Sequence, residues 1–171
     1  MLARDLMTIH PATVTPDDSV PRAAAIMREL DVGFVPVVDV PDGTKLLGVI
    51  TDRDIAVRCV AEGHPAAECL VRLHMTPAPI DTVKPDADLE DVLALMERDQ
   101  VHRIPVMEKG ALVGVIAGAD IARHCGPRHA KQLEELLEAV SAPKGAARKP
   151  VPRGIAKGKM THGRKRTKAA R

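Results

Sequence analysis

The sequence predicts an α/β fold of two tandem β-α-β-β-α repeats, packed sheet to sheet with pseudo-two-fold symmetry. Three observations predict it. First, the segment from Thr15-Pro16-Asp17 to Val37 aligns without a gap on Lys84-Pro85-Asp86 to Val106. Met27 then falls on Met96 and Pro36 on Pro105. Second, after a slip of three residues, Gly48-Val49-Ile50 falls on Gly114-Val115-Ile116 and Asp54-Ile55-Ala56 on Asp120-Ile121-Ala122. Third, apolar residues in each copy recur first at helical spacing and then in strand-sized runs. A unit of three strands and two helices is too small to cover both faces of its sheet, so each copy needs the other.

The elements follow in order. Ala12 to Thr15 reads as an extended stretch ended by Pro16. Ser19 is placed to cap a helix whose Val20, Ala23, Ala24, Met27 and Leu30 form one stripe. Phe34 to Asp39 and Lys45 to Thr51 are strands about the Asp42-Gly43 turn. Asp52 to Ala61 is a second helix, closed near Gly63. In the second copy Ile80 to Val83 is a short strand before Pro85. Asp88 is placed to cap a helix with Leu89, Val92, Leu93 and Met96 on one face. Arg103 to Met107 and Ala111 to Ile116 are strands about Lys109-Gly110, and Gly118 to His124 is a short helix. The expected boundaries are 1–66 for the first repeat and 67–126 for the second. A C-terminal amphipathic helix occupies 127–142, after Pro127, with Leu133, Leu136, Leu137 and Val140 on its apolar stripe. Residues 143–171, rich in Gly, Pro, Ala, Lys and Arg, have almost nothing to bury and are read as a disordered basic tail.

Composition bounds the function. The 171 residues are 45% hydrophobic but hold one Phe and no Trp or Tyr, so the core is aliphatic. Such a surface is poorly suited to stacking the bases of single strands. Met1 to Asp5 contains no apolar signal segment, and no apolar run approaches a membrane span. Cys59, Cys69 and Cys125 are odd in number and form no CxxC, which points to a reducing, cytoplasmic setting. Residues 1–142 carry 14 Lys+Arg and 23 Asp+Glu; residues 143–171 carry 11 Lys+Arg and no acid. The chain is thus an acidic body with a basic tail.

A family pattern now emerges. Its elements in the first copy are Met7-Thr8, Thr15-Pro16, Val35-Pro36-Val37 and Gly48 to Asp54. In the second they are Met75-Thr76, Lys84-Pro85, His102 to Val106 and Gly114 to Asp120. Each copy resembles a CBS domain (cystathionine-β-synthase domain), and the pair, over roughly residues 2–125, resembles a Bateman module. The resemblance implies a regulatory module that binds an adenine nucleotide (AMP, ADP or ATP) or another adenosyl ligand such as S-adenosylmethionine between the copies. It also implies a homodimer that signals to a regulated partner by conformation or assembly. Dimerisation would cover helix faces such as Ala23, Ala24 and Met27.

The same resemblance points to the site residues. Asp54 and Asp120 stand where an Asp takes the ribose hydroxyls, and a carboxylate suits a cis-diol. Thr51 stands where a hydroxyl reaches phosphate near a helix N-terminus. His102 and Arg103 form a basic pair whose guanidinium offers a planar fork. Thr13, Val14, Phe34 and Val35 would line the adenine. The copies differ: Thr51 corresponds to Ala117, Arg103 to Phe34, and His102 to Gly33. If the sites are composite, Thr51, Asp54, His102 and Arg103 make one polar cleft, and Asp120 with Phe34 makes an apolar one.

Plainer roles stand beside these. Asp54 and Thr51 can simply cap a helix, Arg103 can pair with a surface acid, and the methionines can fill core. No catalytic motif is found, and no enzyme activity is expected. His64 with Cys69, or His124, Cys125 and His129, match no zinc spacing, so no metal site is expected. The alternative function is a nucleic-acid-associated dimer whose tail, with Arg164-Lys165-Arg166, binds phosphate backbone without sequence preference. The plain reading of that tail is a solvated segment, or one lying against the acidic body.

Overall fold

The computed structural model describes residues 1–124 together with the helical Lys131, Glu134 and Glu138. The remainder of the expected C-terminal helix, Cys125, His129 and the basic tail lie outside the described residues.

The expected α/β repeat architecture is what the chain forms. Helix α1 (Ala3–Leu6) leads into strand β1 (Thr8–Ile9). Helix α2 (Val20–Glu29) follows, then strands β2 (Phe34–Val38) and β3 (Leu46–Thr51). Helix α3 (Asp52–Asp54) runs on as a π-helical segment, Ile55–Val60. Two 3-10 turns, Ala66–Glu68 and Val71–Leu73, lead to strand β4 (Thr76–Pro77). Helix α4 (Leu89–Asp99), strands β5 (Arg103–Glu108) and β6 (Ala111–Ala117), and helix α5 (Gly118–His124) complete the second copy.

Two three-stranded antiparallel sheets result, in the orders β2-β3-β4 and β1-β6-β5. Each sheet therefore takes its third strand from the lead-in of the other copy. Thr8 pairs with Val115, and Thr76 with Val49. The predicted lead strands at 12–15 and 80–83 shrink to single parallel bridges, Val14 to Val37 and Val83 to Val106. Pro16 and Pro85 follow closely and carry no N–H to extend the ladder.

Local chemistry explains most of the rest. Ser19 caps α2 by accepting from the Arg22 N–H at 3.3 Å. Asp88 takes the N-cap position of α4 but makes no side-chain capping bond. Lys109 (φ 51°) and Gly110 (φ 84°) both have positive φ between the paired Glu108 and Ala111, the signature of a type I′ hairpin. Gly63 (φ 77°) ends the second helix as expected.

Each copy has its own core. The first gathers Val14, Ala23, Met27, Val35, Val37, Ile50 and Val71. The second gathers Val83, Leu89, Val92, Leu93, Met96, Ile104, Val106, Ile116 and Ile121, with Ala3 and Leu6 from α1. Ala23 and Met27 are thus consumed inside the chain and do not offer a dimer face. Leu30, expected on the buried stripe, is exposed because α2 ends there and Asp31 turns away at φ 52°. Val32, Val40, Val57, Val60 and Leu73 are further large apolar residues left exposed. Among the described residues no helix is long and apolar enough to cross a membrane.

Candidate functional site

The end of β3 carries the first candidate site. Thr51 caps α3: its Oγ1 accepts from the Asp54 N–H at 3.0 Å and donates to Asp54 Oδ2 at 2.8 Å. The Thr51 N–H donates to the same carboxylate oxygen at 3.0 Å. The plain capping role is therefore real, and it also fixes the Asp54 carboxylate in place. Asp54 Oδ1 faces Arg58 Nη2 at 3.4 Å, longer than a charge-assisted hydrogen bond. That oxygen has room to accept further donors. Phe34 lies opposite Thr51 in the β2–β3 register, and the Gly33 carbonyl accepts from the Asp52 N–H at 3.2 Å.

The second copy repeats the frame with different chemistry. Asp120 Oδ2 accepts from the Ala117 N–H at 2.8 Å, and Ala117 has no hydroxyl to add. Asp120 Oδ1 is held by Arg123 Nη2 at 2.5 Å. Both oxygens are thus engaged, and Oδ1 more closely than its counterpart in Asp54. Arg103 lies opposite Ala117, and the His102 carbonyl accepts from the Gly118 N–H at 2.9 Å. Strand pairing therefore sets the basic pair beside Asp120, and sets Phe34 beside Thr51 and Asp54. Among the described residues no hydrogen bond or ion pair joins the two groups. Arg103 is half-buried and has no ion-pair partner among them.

Val14 and Val35 are core residues, 1% and 0% exposed, so they can meet a ligand mainly through backbone. The Val14 N–H and carbonyl are already bonded to Pro36 and Val38. Thr13 and Val14 help to line a cleft of about 720 Å³ with His10, Asp18, Arg22 and Asp42 of the first copy and Leu112 of the second. Two of its lining residues are joined by a hydrogen bond from the Leu112 N–H to the Thr44 carbonyl at 2.7 Å. Its volume suits a small ligand. Thr51, Asp54, Phe34 and Val35 do not line it, so the expected site residues divide between two places.

Two features escaped the sequence reading. Arg58 donates through Nη1 to the carbonyls of His74 and Met75 at 3.1 and 3.2 Å, and to Thr76 Oγ1 at 3.2 Å. Its place four residues after Asp54 on a helix was the available signal. The other is a buried cluster of Cys59, Cys69 and His74, whose ligand atoms all lie within 4.8 Å of one another. Burial, first, and the adjacent Cys59 thiol push the Cys69 thiol above its ordinary range.

The comparisons with known proteins agree with this frame. The CBS domain family matches the chain twice, over residues 3–61 and 67–126. Hypoxic response protein 1 of Mycobacterium tuberculosis is 34% identical over 145 residues, covering 85% of this chain and 97% of that protein. A crystal structure of hypoxic response protein I with two coordinated zinc ions superposes with a TM-score of 0.66 at 34% identity, covering 74% of this chain and all of that one. The CBS domain pair of MJ0100, solved with 5′-methylthioadenosine and S-adenosyl-L-methionine, gives a TM-score of 0.65 at 27% identity, with 74% and 100% covered. CBSX2 in complex with AMP gives 0.60 at 27% identity, with 71% and 93% covered.

Proposed function

The chain belongs to the CBS-domain family, and on that premise we propose that it is a regulatory module sensing an adenosyl ligand through the first copy. The ligand class is an adenine nucleotide or S-adenosylmethionine. Relatives of the same fold solved with AMP, and with 5′-methylthioadenosine and S-adenosyl-L-methionine, support that class. The carrying observation is the difference between the two carboxylates. Asp54 is fixed by Thr51 yet keeps Oδ1 only loosely engaged at 3.4 Å, whereas Asp120 Oδ1 is closed by Arg123 at 2.5 Å. A ribose cis-diol needs an oriented acceptor with free lone pairs, which Asp54 offers.

In this reading Asp54 takes the ribose hydroxyls, the Thr51 hydroxyl faces phosphate, and Phe34 packs on the base. Arg103, half-buried and without an ion-pair partner among the described residues, and His102 stand beside Asp120 in the strand register and would reach the phosphate from the second copy. Occupancy changes conformation or homodimer assembly and so signals to a partner protein. The relative solved with two coordinated zinc ions makes zinc a further ligand class to consider for this chain.

Calorimetric titration with AMP, ADP, ATP and S-adenosylmethionine tests the reading. The expected result is one site per chain, lost in Asp54→Ala, weakened in Arg103→Ala and retained in Asp120→Ala. Two equal sites, or full binding by Asp54→Ala, would overturn it. Light scattering with and without the ligand reads the assembly state.

A further inference from the structure

We propose that Cys59, Cys69 and His74 bind a thiophilic divalent cation, Zn²⁺ by its chemistry, clamping the π-helical end of the first copy to the segment that joins the copies. The three ligand atoms lie within 4.8 Å of one another. Tetrahedral zinc, with bonds of about 2.3 Å to sulfur and about 2.0 Å to nitrogen, sets its ligands roughly 3.5–3.8 Å apart. Closing the longest separation therefore takes a shift of about 1 Å, within reach of side-chain rotation.

A second observation points to a ligand independently of the cluster. His74 is only 2% exposed, and its Nε2 makes no hydrogen bond. Buried polar atoms are nearly always satisfied, and one that is not calls for an explanation. A metal bond at the His74 ring, with the other nitrogen free to find a donor role, supplies one.

The surroundings suit this chemistry. Cys59 and Cys69 are both free and buried, and they pack with Val20, Ile55 and Ala66. Charge cannot be left uncompensated there. Two thiolates, a neutral imidazole and a divalent cation sum to zero, which is the state such a pocket can hold. Sulfur and imidazole donors select zinc over magnesium or calcium.

The frame is also fixed from outside. The Cys69 carbonyl accepts from the Val20 N–H at 2.9 Å, and the His74 carbonyl accepts from Arg58 Nη1 at 3.1 Å. His64 supplies the fourth donor. It is exposed, its ring centre lies 5.3 Å from that of His74, and its N–H is anchored to the Cys59 carbonyl at 3.0 Å.

Cobalt(II) titration of the full-length chain under reducing conditions, followed by zinc competition, tests the proposal. The expected result is a single equivalent of cobalt with a thiolate charge-transfer band and the visible bands of a tetrahedral ion, both removed by zinc. Zinc should protect Cys59 and Cys69 from a thiol reagent and leave Cys125, the repeat partner of Cys59, reactive. Cys69→Ser and His74→Gln should each weaken cobalt by at least about 100-fold, since even supporting residues cost 10- to 100-fold. Cys125→Ser should leave the spectrum unchanged, and His64→Ala should exchange one ligand for water. Because the unsubstituted chain carries the main reading, a variant that fails to fold does not rescue the idea. No charge-transfer band at excess cobalt with all three thiols titratable, a Cys59–Cys69 disulfide surviving reductant, or loss of the spectrum in Cys125→Ser would overturn it. None of these outcomes depends on adenosyl binding.

Discussion

Gly48→Ala tests the strand exchange that joins the two copies. A Cβ at Gly48 would stand 2.5 Å from the Thr76 carbonyl oxygen, 2.6 Å from Met75 Cε and 3.2 Å from Pro77 Cα. Met75 can swing away, but Thr76 and Pro77 are backbone paired to Val49 and Gly48. Strand β4 must therefore move off β3. Overpacking of this kind costs about 1–3 kcal/mol. Loosening one ladder hydrogen bond, such as the 2.8 Å bond from the Ala78 N–H to the Leu47 carbonyl, adds about 1 kcal/mol. The lower unfolded-state entropy of Ala returns about 0.4–1 kcal/mol. The net loss is about 1–4 kcal/mol, or a fall in Tm of roughly 2–15 °C for a chain of this size. Gly114 is the internal control. A Cβ there meets Met7 Sδ at 2.6 Å and Cγ at 2.9 Å, a flexible side chain, and the Thr8 oxygen only at 3.0 Å. Gly114→Ala should cost about 1 kcal/mol. Urea unfolding at matched protein concentration reads both, with an unchanged m-value as the check on the comparison. Equal or greater stability in Gly48→Ala, or greater damage in Gly114→Ala, would refute the reasoning.

Thr51→Val removes the capping hydroxyl that holds Asp54, so stability should fall by about 1 kcal/mol. Affinity for AMP should fall more than affinity for adenosine, measured by calorimetry. Arg58→Ala loses hydrogen bonds to His74, Met75 and Thr76. With 47% of that side chain exposed, the expected cost is about 1–2 kcal/mol in urea unfolding. Truncation after Ala142 should leave the thermal-shift response to AMP unchanged. Duplex DNA binding that disappears on the same truncation and weakens steeply with salt would favour the nucleic-acid reading instead.

What was legible in the sequence is what local pattern encodes. Helices α2 and α4 show one apolar stripe each, and strands β2, β3, β5 and β6 are apolar runs bounded by turns, so the two periods identify them. Lys109-Gly110 declares its hairpin because few residues tolerate consecutive positive φ. Thr51 and Asp54 can each be read as helix caps from their place after β3, whereas the reciprocal bonds between them emerge only in the structure. The exchange of β1 and β4 was not legible, because a two-residue strand carries no period and its partner lies in the other copy. Its trace was the glycine repeated at 48 and 114, inside strands where a glycine marks close backbone approach. The π-helical stretch has no compositional signal, and the Cys59, Cys69 and His74 cluster is assembled by the turns between the copies rather than by a ligand motif.

One guanidinium ties the two proposed sites together. Arg58 faces Asp54 Oδ1 with Nη2 while its Nη1 holds the His74 carbonyl. A cis-diol arriving at Asp54 competes for that carboxylate oxygen and shifts the balance of the Arg58 contacts. A cation on the His74 ring fixes the residue whose carbonyl Arg58 holds from the other side. Any change that one ligand makes in the affinity of the other must be returned by the same factor, since linkage between binding sites is reciprocal. The physical route is a single side chain, so Arg58→Ala should separate the two affinities without removing a donor from either site. The asymmetry of the repeat thereby acquires a purpose: the copy with the looser carboxylate is also the copy whose helix runs on toward the buried thiols.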